Sequence, residues 1–233
     1  MAKKNYFITA TNTDIGKTIA TAALAANCIS KNNSVAIIKP FQTGTDNNDC
    51  DYSRVRELVP QSQMSKLAQD SVVKLPFSSS PHLAAELENC VIDYQKVIKG
   101  CQAEINDSVS DYALFEGAGG LMVPITREYF MLDFIAELDI EVIVVTDAIL
   151  GTINNTLLTI MALEAKNCKI AGIIFNRVPN LPDDDPINII AKDNIKTISE
   201  LTKLPIIGMI NDYSQEELNS ATLFAQNIPT LDI

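Results

Sequence analysis

Two runs in this chain, Val142-Ile143-Val144-Val145 and Ile170-Ala171-Gly172-Ile173-Ile174-Phe175, contain no polar side chain. A strand with one face in water alternates apolar and polar residues. Unbroken runs therefore have to be covered on both faces, as in a parallel sheet with helices on each side. β-Branched runs near 6–9, 34–39, 111–116, 141–146, 169–175 and 205–210 alternate with amphipathic stretches near 16–31, 93–107, 152–166 and 187–202. This βαβ rhythm predicts an α/β fold with a doubly wound, mostly parallel sheet. No Gly/Ser-rich or charge-block linker divides the chain, so residues 1–233 read as a single domain. Segment 60–92 breaks the rhythm and reads as polar loops over the edge of the sheet where ligands sit. Within it, Pro81 suits the first turn of a helix containing Leu83 to Leu87, with Ser80 as its N-cap. Pro179 to Pro186 reads as a surface loop.

The first strand, Tyr6-Phe7-Ile8-Thr9, leads into Ala10-Thr11-Asn12-Thr13-Asp14-Ile15-Gly16-Lys17-Thr18. A buried strand ending in a small-residue turn that opens a helix aims backbone N–H groups and the positive helix end at one point, where a polyphosphate fits. Lys17 supplies a charge for the outer phosphates, and the Thr18 hydroxyl is placed for their Mg²⁺. The usual loop glycine five residues before Gly16 is here Thr11, preceded by Ala10, so the loop reads as a one-residue-longer variant of a P-loop NTPase. Ala10 then requires φ < 0 or a slightly reshaped loop. The rival reading is an ordinary strand-turn-helix with a chance Gly-Lys-Thr.

The formal net charge of −11, without any basic tract, argues against general binding to nucleic acid or anionic membrane. Cys28, Cys50, Cys90, Cys101 and Cys168 are odd in number and widely spaced, so they read as reduced, buried small hydrophobes. With apolar runs too short for a signal peptide or a bilayer span, a cytoplasmic location is expected.

Three further strand ends carry chemistry. Lys39-Pro40 closes the second strand, followed by Phe41-Gln42-Thr43-Gly44; Lys39 is either a solvated strand cap or an electrostatic stabiliser of developing charge. Glu116 follows Tyr112-Ala113-Leu114-Phe115 and precedes Gly117-Ala118-Gly119-Gly120. It reads as a carboxylate for Mg²⁺ beside backbone open to a substrate, or as an exposed turn residue. Asn176 offers an amide to a base edge, or is a plain turn residue.

These segments, with Ser80-Pro81-His82, Pro124 and Gly151-Thr152-Ile153-Asn154, occur in the order and spacing of dethiobiotin synthetase, which the chain resembles over almost its whole length. That resemblance implies an ATP- and Mg²⁺-dependent homodimer that closes the ureido ring of dethiobiotin from 7,8-diaminononanoate and CO₂. It implies catalytic roles for Lys17 and Lys39. ATP contacts are implied at Asp14, Ile15, Gly16, Lys17, Thr18, Ile19, Asp51, Glu116, Gly117, Ala118, Gly119, Asn176, Arg177 and Asn211. The metal ligands implied are Thr18, Glu116 and an aspartate after Gly44, read as Asp51 because Val55 fits the apolar helix position, with Asp49 as the alternative. Substrate contacts are implied at Thr13, Thr43, Gly119, Gly151 and Asn154, the last two holding the carboxylate tail from the second subunit. A helix start is a sensible carboxylate site, although it also reads as an ordinary cap after Asp147. His82 reads as structural or as a rim residue. Asn211 stands where the family commonly has proline.

The competing reading within the same fold is a partitioning or switch-type P-loop ATPase. That class carries a second lysine five residues before the loop lysine, where this chain has Asn12. A non-catalytic nucleotide-binding protein would have no need of Lys17, Lys39 and Glu116 together.

Overall fold

The computed structural model describes residues 3–45, 51–59, 67–107, 109–218, 220–221, 224, 231 and 233, with backbone alone at 51–52, 67–72, 215 and 218. Strands β1 (Lys4–Ala10), β2 (Val35–Thr43), β3 (Leu67–Leu75), β4 (Tyr112–Glu116), β5 (Glu141–Thr146), β6 (Ile170–Val178) and β7 (Ile206–Asn211) form a seven-stranded sheet in the order β3-β2-β4-β1-β5-β6-β7. Every pairing between these strands is parallel. The helices are α1 (Lys17–Ser30), α2 (Asp51–Leu58), α3 (Pro81–Leu87), α4 (Tyr94–Asp107), α5 (Met131–Leu138), α6 (Thr152–Ala165), α7 (Pro186–Thr202) and α8 (Gln215–Leu218).

The apolar runs lie where their composition requires. Val142 through Val145 and Ile173 through Phe175 are wholly buried near the middle of the sheet. Successive β1 side chains enter opposite cores. Ile8 packs with α1 residues such as Leu24, and Phe7 packs with Phe115 and Phe134 on the other side. The ring of Phe134 stands edge-on to Phe7 and Phe41, at centroid distances of 6.2 and 5.1 Å. Burying each such ring contributes on the order of 1.5–3 kcal/mol. The alanine-rich sequence of α1 buries Ala20, Ala22, Ala23, Ala25 and Ala26, which lets the helix approach the sheet closely.

Three sequence expectations require correction. β2 continues past Lys39 to Thr43, because β3 pairs with it through Phe41↔Val73, Gln42↔Lys74 and Thr43↔Leu75. Part of segment 60–92 is thus an edge strand rather than polar loop. The polar interruption Gln69-Asp70-Ser71 and Lys74 break the alternation of Leu67–Leu75 and hide that strand from pattern reading, while an edge position tolerates them. α2 and α5 have eight residues each, too few for periodicity to separate a helix from a short apolar run. Among the cysteines, Cys28 and Cys101 are buried, but Cys168 is only partly so and Cys90 is exposed; Cys50 lies outside the described residues.

The strand order places the site. β4 sits between β1 and β2, so the carboxyl end of β4 emerges between the loop after β1 and the upper half of β2. Ile8 is level with Glu116, and Ile38 is level with Phe115. Chemistry from three separated parts of the chain meets at one edge, the usual ligand edge of such sheets.

Candidate active site

β1 ends at Ala10, which lies within the strand and outside the positive-φ residues. The loop's left-handed turns fall later, at Asp14 (φ 59) and Gly16 (φ 97). The alanine therefore needs no reshaping of its own position. At Gly16 a glycine is required twice over, since a Cβ there would lie 2.0 Å from Nδ2 of Asn176. That Nδ2 instead donates to the Ile15 carbonyl at 2.8 Å, so buried Asn176 braces the phosphate loop from the end of β6.

Lys17 opens α1 and is 7% exposed; Lys39 is 7% and Glu116 only 2% exposed. Such burial excludes both the solvated cap for Lys39 and the exposed turn residue for Glu116. One carboxylate oxygen, Glu116 Oε1, accepts from Thr18 Oγ1 at 2.9 Å and from Lys39 Nζ at 3.0 Å. Burial works to raise the Glu116 carboxyl. The charge and hydrogen bond of Lys39, supported by Thr21 and Lys17, prevail and hold it below the usual carboxylate range. Burial pulls the Lys17 ammonium down to about 8; Glu116 and Asp14 hold it up, and Lys39 pushes it further down.

These groups face a cavity of about 850 Å³. Of the residues expected to bind nucleotide or metal, Asp14, Gly16, Lys17, Thr18, Glu116, Ala118, Gly119 and Arg177 line it, together with Lys39, expected to be catalytic, and the expected substrate residues Thr13 and Thr43. Gln42, Gly44, Pro76, Phe77 and Ser78 complete the wall without having been singled out as site residues. Pro76, Phe77 and Ser78 belong to the segment read as passing over the site, and Gly44 N donates to the Phe77 carbonyl at 3.3 Å.

Other expected residues stand back. Ile15 and Ile19 pack against the α1 core, and Gly117 N donates to the Ile8 carbonyl at 3.0 Å. Asn211 ends β7 level with Val178, at the same carboxyl edge of the sheet as Asn176 and Arg177. Asp51 is the first residue of α2, with its side chain outside the described part; buried Val55 holds the apolar helix position. Asp49 lies outside the described residues. His82 Nδ1 is 3.0 Å from Ser80 Oγ, which makes no N-cap bond to α3.

Gly151 (φ 96) caps α6 from the left-handed region and, like Asn154, is exposed. They are not among the residues lining the cavity of their own chain. A second cavity of about 390 Å³ separates the phosphate loop and glycine run from α6, between Asn12, Met122, Val123, Asn155 and Leu158. A third, of about 640 Å³, lies beside α7 and β7 on an apolar floor of Ile195, Ile206 and Met209. Its charges are paired among themselves, Lys192 with Asp183 and Lys196 with Glu200, and none converges on its interior.

A loop of backbone donors, a lysine and a hydroxyl on the first turn of the following helix, and a buried carboxylate on the adjacent parallel strand define a P-loop nucleotide-binding protein. Residues 4–218 match the family model described as AAA domain. The chain is 37% identical over 215 residues to the ATP-dependent dethiobiotin synthetase of Halalkalibacterium halodurans, covering 89% of this chain and 84% of that protein. It is 36% identical over 230 residues to that of Brachyspira hyodysenteriae, covering 95% and 99%. The chain belongs to the ATP-dependent dethiobiotin synthetase family, whose members are ligases.

Solved structures share the fold. Apo McdA of Cyanthece superposes with a TM-score of 0.61 at 14% identity, over 96% of this chain and 92% of that one. A chain of the MinC:MinD cell division protein complex of Aquifex aeolicus gives 0.59 at 17%, over 97% and 86%. At such identities the likeness concerns architecture alone. The relatives that share sequence are synthetases, so the partitioning-type alternative is not favoured.

Proposed function

We propose that residues 1–233 act as one ligase domain that makes dethiobiotin from 7,8-diaminononanoate, CO₂ and ATP. The observation that carries this reading is the pair of buried lysines around Glu116, in a cavity also lined by Thr13, Thr43, Ala118 and Gly119. One amine of the substrate adds to CO₂ with loss of a proton, giving a carbamate. A carbamate oxygen attacks the γ-phosphorus and ADP leaves. The second amine then attacks the carbonyl carbon of the mixed anhydride, a C–N bond forms, and phosphate departs as the amine loses its proton.

Each step needs position and charge more than a strong acid or base. Holding both amines against one carbamate makes ring closure intramolecular, which can contribute roughly 7–11 kcal/mol. Lys17 faces the outer phosphates. Lys39, reaching the same carboxylate from β2, is placed to neutralise the carbamate and the transferring phosphoryl group.

The Thr18 hydroxyl and the Glu116 carboxylate meet at 2.9 Å, a hard-oxygen pair that fits magnesium. Asp51 is the third ligand proposed. When bound, magnesium supplies charge neutralisation to the phosphates.

The substrate carboxylate is assigned to the α6 start of a second subunit, through Gly151 and Asn154. Supporting this homodimer, Met122, Ile149, Leu150, Leu158 and Met161 are large apolar side chains, all more than half exposed, on the glycine run and around α6. A cytoplasmic location suits this reading; among the described residues no helix is long and apolar enough to cross a membrane.

The test is ADP release with and without diaminononanoate and CO₂, with dethiobiotin identified by mass. ADP formation that ignores the diamine, with no ring product, refutes the proposal.

A further inference from the structure

Thr146 ends β5 with its side chain fully buried. Its Oγ1 lies 2.8 Å from Oγ1 of Thr152 and 2.8 Å from Oγ1 of Thr156, on the first two turns of α6. It also lies 3.4 Å from Oγ1 of Thr11, the residue that opens the phosphate loop. Thr152 Oγ1 donates to the Asp147 carbonyl at 2.8 Å. A hydroxyl has one proton, so Thr152 can only accept from Thr146. Thr146, its own proton then used, must accept from Thr156 and Thr11. Thr152 Oγ1 and Thr156 Oγ1 are also 3.4 Å apart, and the proton order that uses all the shorter contacts is this: Thr11 and Thr156 donate to Thr146, Thr146 to Thr152, and Thr152 to the backbone.

The backbone reinforces both ends of this chain. Thr11 N donates to the Val145 carbonyl at 3.1 Å. The turn before α6 is held from beneath by buried Asn194, whose Nδ2 donates to the carbonyls of Ala148 and Ile149 at 3.0 Å each. The phosphate loop and the α6 start are therefore referred to a single strand end, with Thr146 as the only side chain in the cluster that touches both Thr11 and α6.

We infer that Thr146 is a positioning residue that sets the phosphate loop and the start of α6 relative to one another, so that nucleotide on the loop is felt at the first turn of α6. The link to the diamine rests on the ring-closing reading above, in which the α6 start serves the partner subunit's substrate. Thr146 then connects the nucleotide site of one protomer to the carboxylate site of the other, and by linkage each ligand alters the affinity of the other.

Thr146→Val keeps the volume and removes every hydroxyl contact; Thr146→Ser keeps them. The first readout is amide hydrogen exchange at residues 152–157, with and without a non-hydrolysable ATP analogue and Mg²⁺. In the native protein and Thr146→Ser the nucleotide slows exchange about fivefold or more, whereas in Thr146→Val the slowing is lost. Equal slowing in Thr146→Val, or none in the native protein, overturns the inference. The second readout is kinetic. Thr146→Val raises KM for ATP and for diaminononanoate together, while a purely structural role lowers the folded fraction and kcat with both KM values unmoved. Should Thr146→Val not fold, Thr152→Val interrupts the same chain at its helix end. A native protein that forms no dethiobiotin refutes the ring-closing reading, and the exchange experiment still decides the role of Thr146.

Discussion

β1 is flanked by two strands that end at the same edge of the sheet in opposite chemistry. β4 ends in Glu116, a buried carboxylate tied to Lys39 and Thr18; β5 ends in Thr146, a buried hydroxyl tied to three other hydroxyls. The first cluster is charged and opens on the cavity, where charges can be reassigned to a phosphate or a metal when ligands enter. The second is neutral and closed, with its proton order settled internally. Charge buried beside a cavity suits chemistry, because its partners are exchangeable. A saturated hydroxyl chain suits positioning, because little is gained by rearranging it.

The largest effect is expected at Lys17. Lys17→Ala loses phosphoryl transfer by roughly 10²–10³-fold or more while thermal unfolding stays cooperative, because the lost interaction belongs to the transition state. Near-native turnover would refute the phosphate-loop assignment. Mixed with a chain inactivated by Asn154→Ala, it should regain part of its activity through heterodimers that combine an intact loop with an intact α6 start. No recovery despite demonstrated subunit exchange places the carboxylate site within one chain.

Lys39→Ala is expected to leave ATP binding largely intact yet collapse ring closure. It also strands a buried carboxylate, at a cost on the order of 3–5 kcal/mol of stability. Combining Lys39→Met with Glu116→Gln removes both charges and should restore most of that stability with no activity; denaturant midpoints measure this directly. Lys39→Arg should rescue poorly, since a planar fork does not replace a compact ammonium.

The third effect is one of pH. The Lys17 ammonium, drawn down by burial to about 8, is charged below that pH and neutral above it. Nucleotide affinity of the free protein, titrated in EDTA, should accordingly fall as pH rises through about 8, by up to about tenfold per unit. Lys17→Ala should abolish the slope. A flat profile to pH 10 in the native protein would show that the site holds its charge despite burial.

The smallest effect is at Thr18. Thr18→Val removes one hydroxyl ligand and no charge, so it should chiefly raise the magnesium concentration for half-maximal rate, with kcat largely recovered at high magnesium. A loss that magnesium cannot restore would assign Thr18 to holding Glu116 rather than to the metal.

The chain's own pattern determined the sheet and its two-sided burial, since unbroken β-branched runs have no stable alternative in water. It also determined the phosphate loop, because a loop of consecutive residues closes on itself and carries its geometry in local order. Gly16, Lys17 and Thr18 could be read for that reason. Only the tertiary structure decided that Lys39 lies inside a strand, that Leu67–Leu75 extends the sheet, and that Lys39 and Thr18 share one oxygen of Glu116. It alone turned Asn176 toward Ile15 and brought Thr11, Thr146, Thr152 and Thr156 together. The physical reason is the strand order: placing β4 and β5 on either side of β1 joins residues 98 and 135 positions apart, and no local propensity records which strand will insert between which.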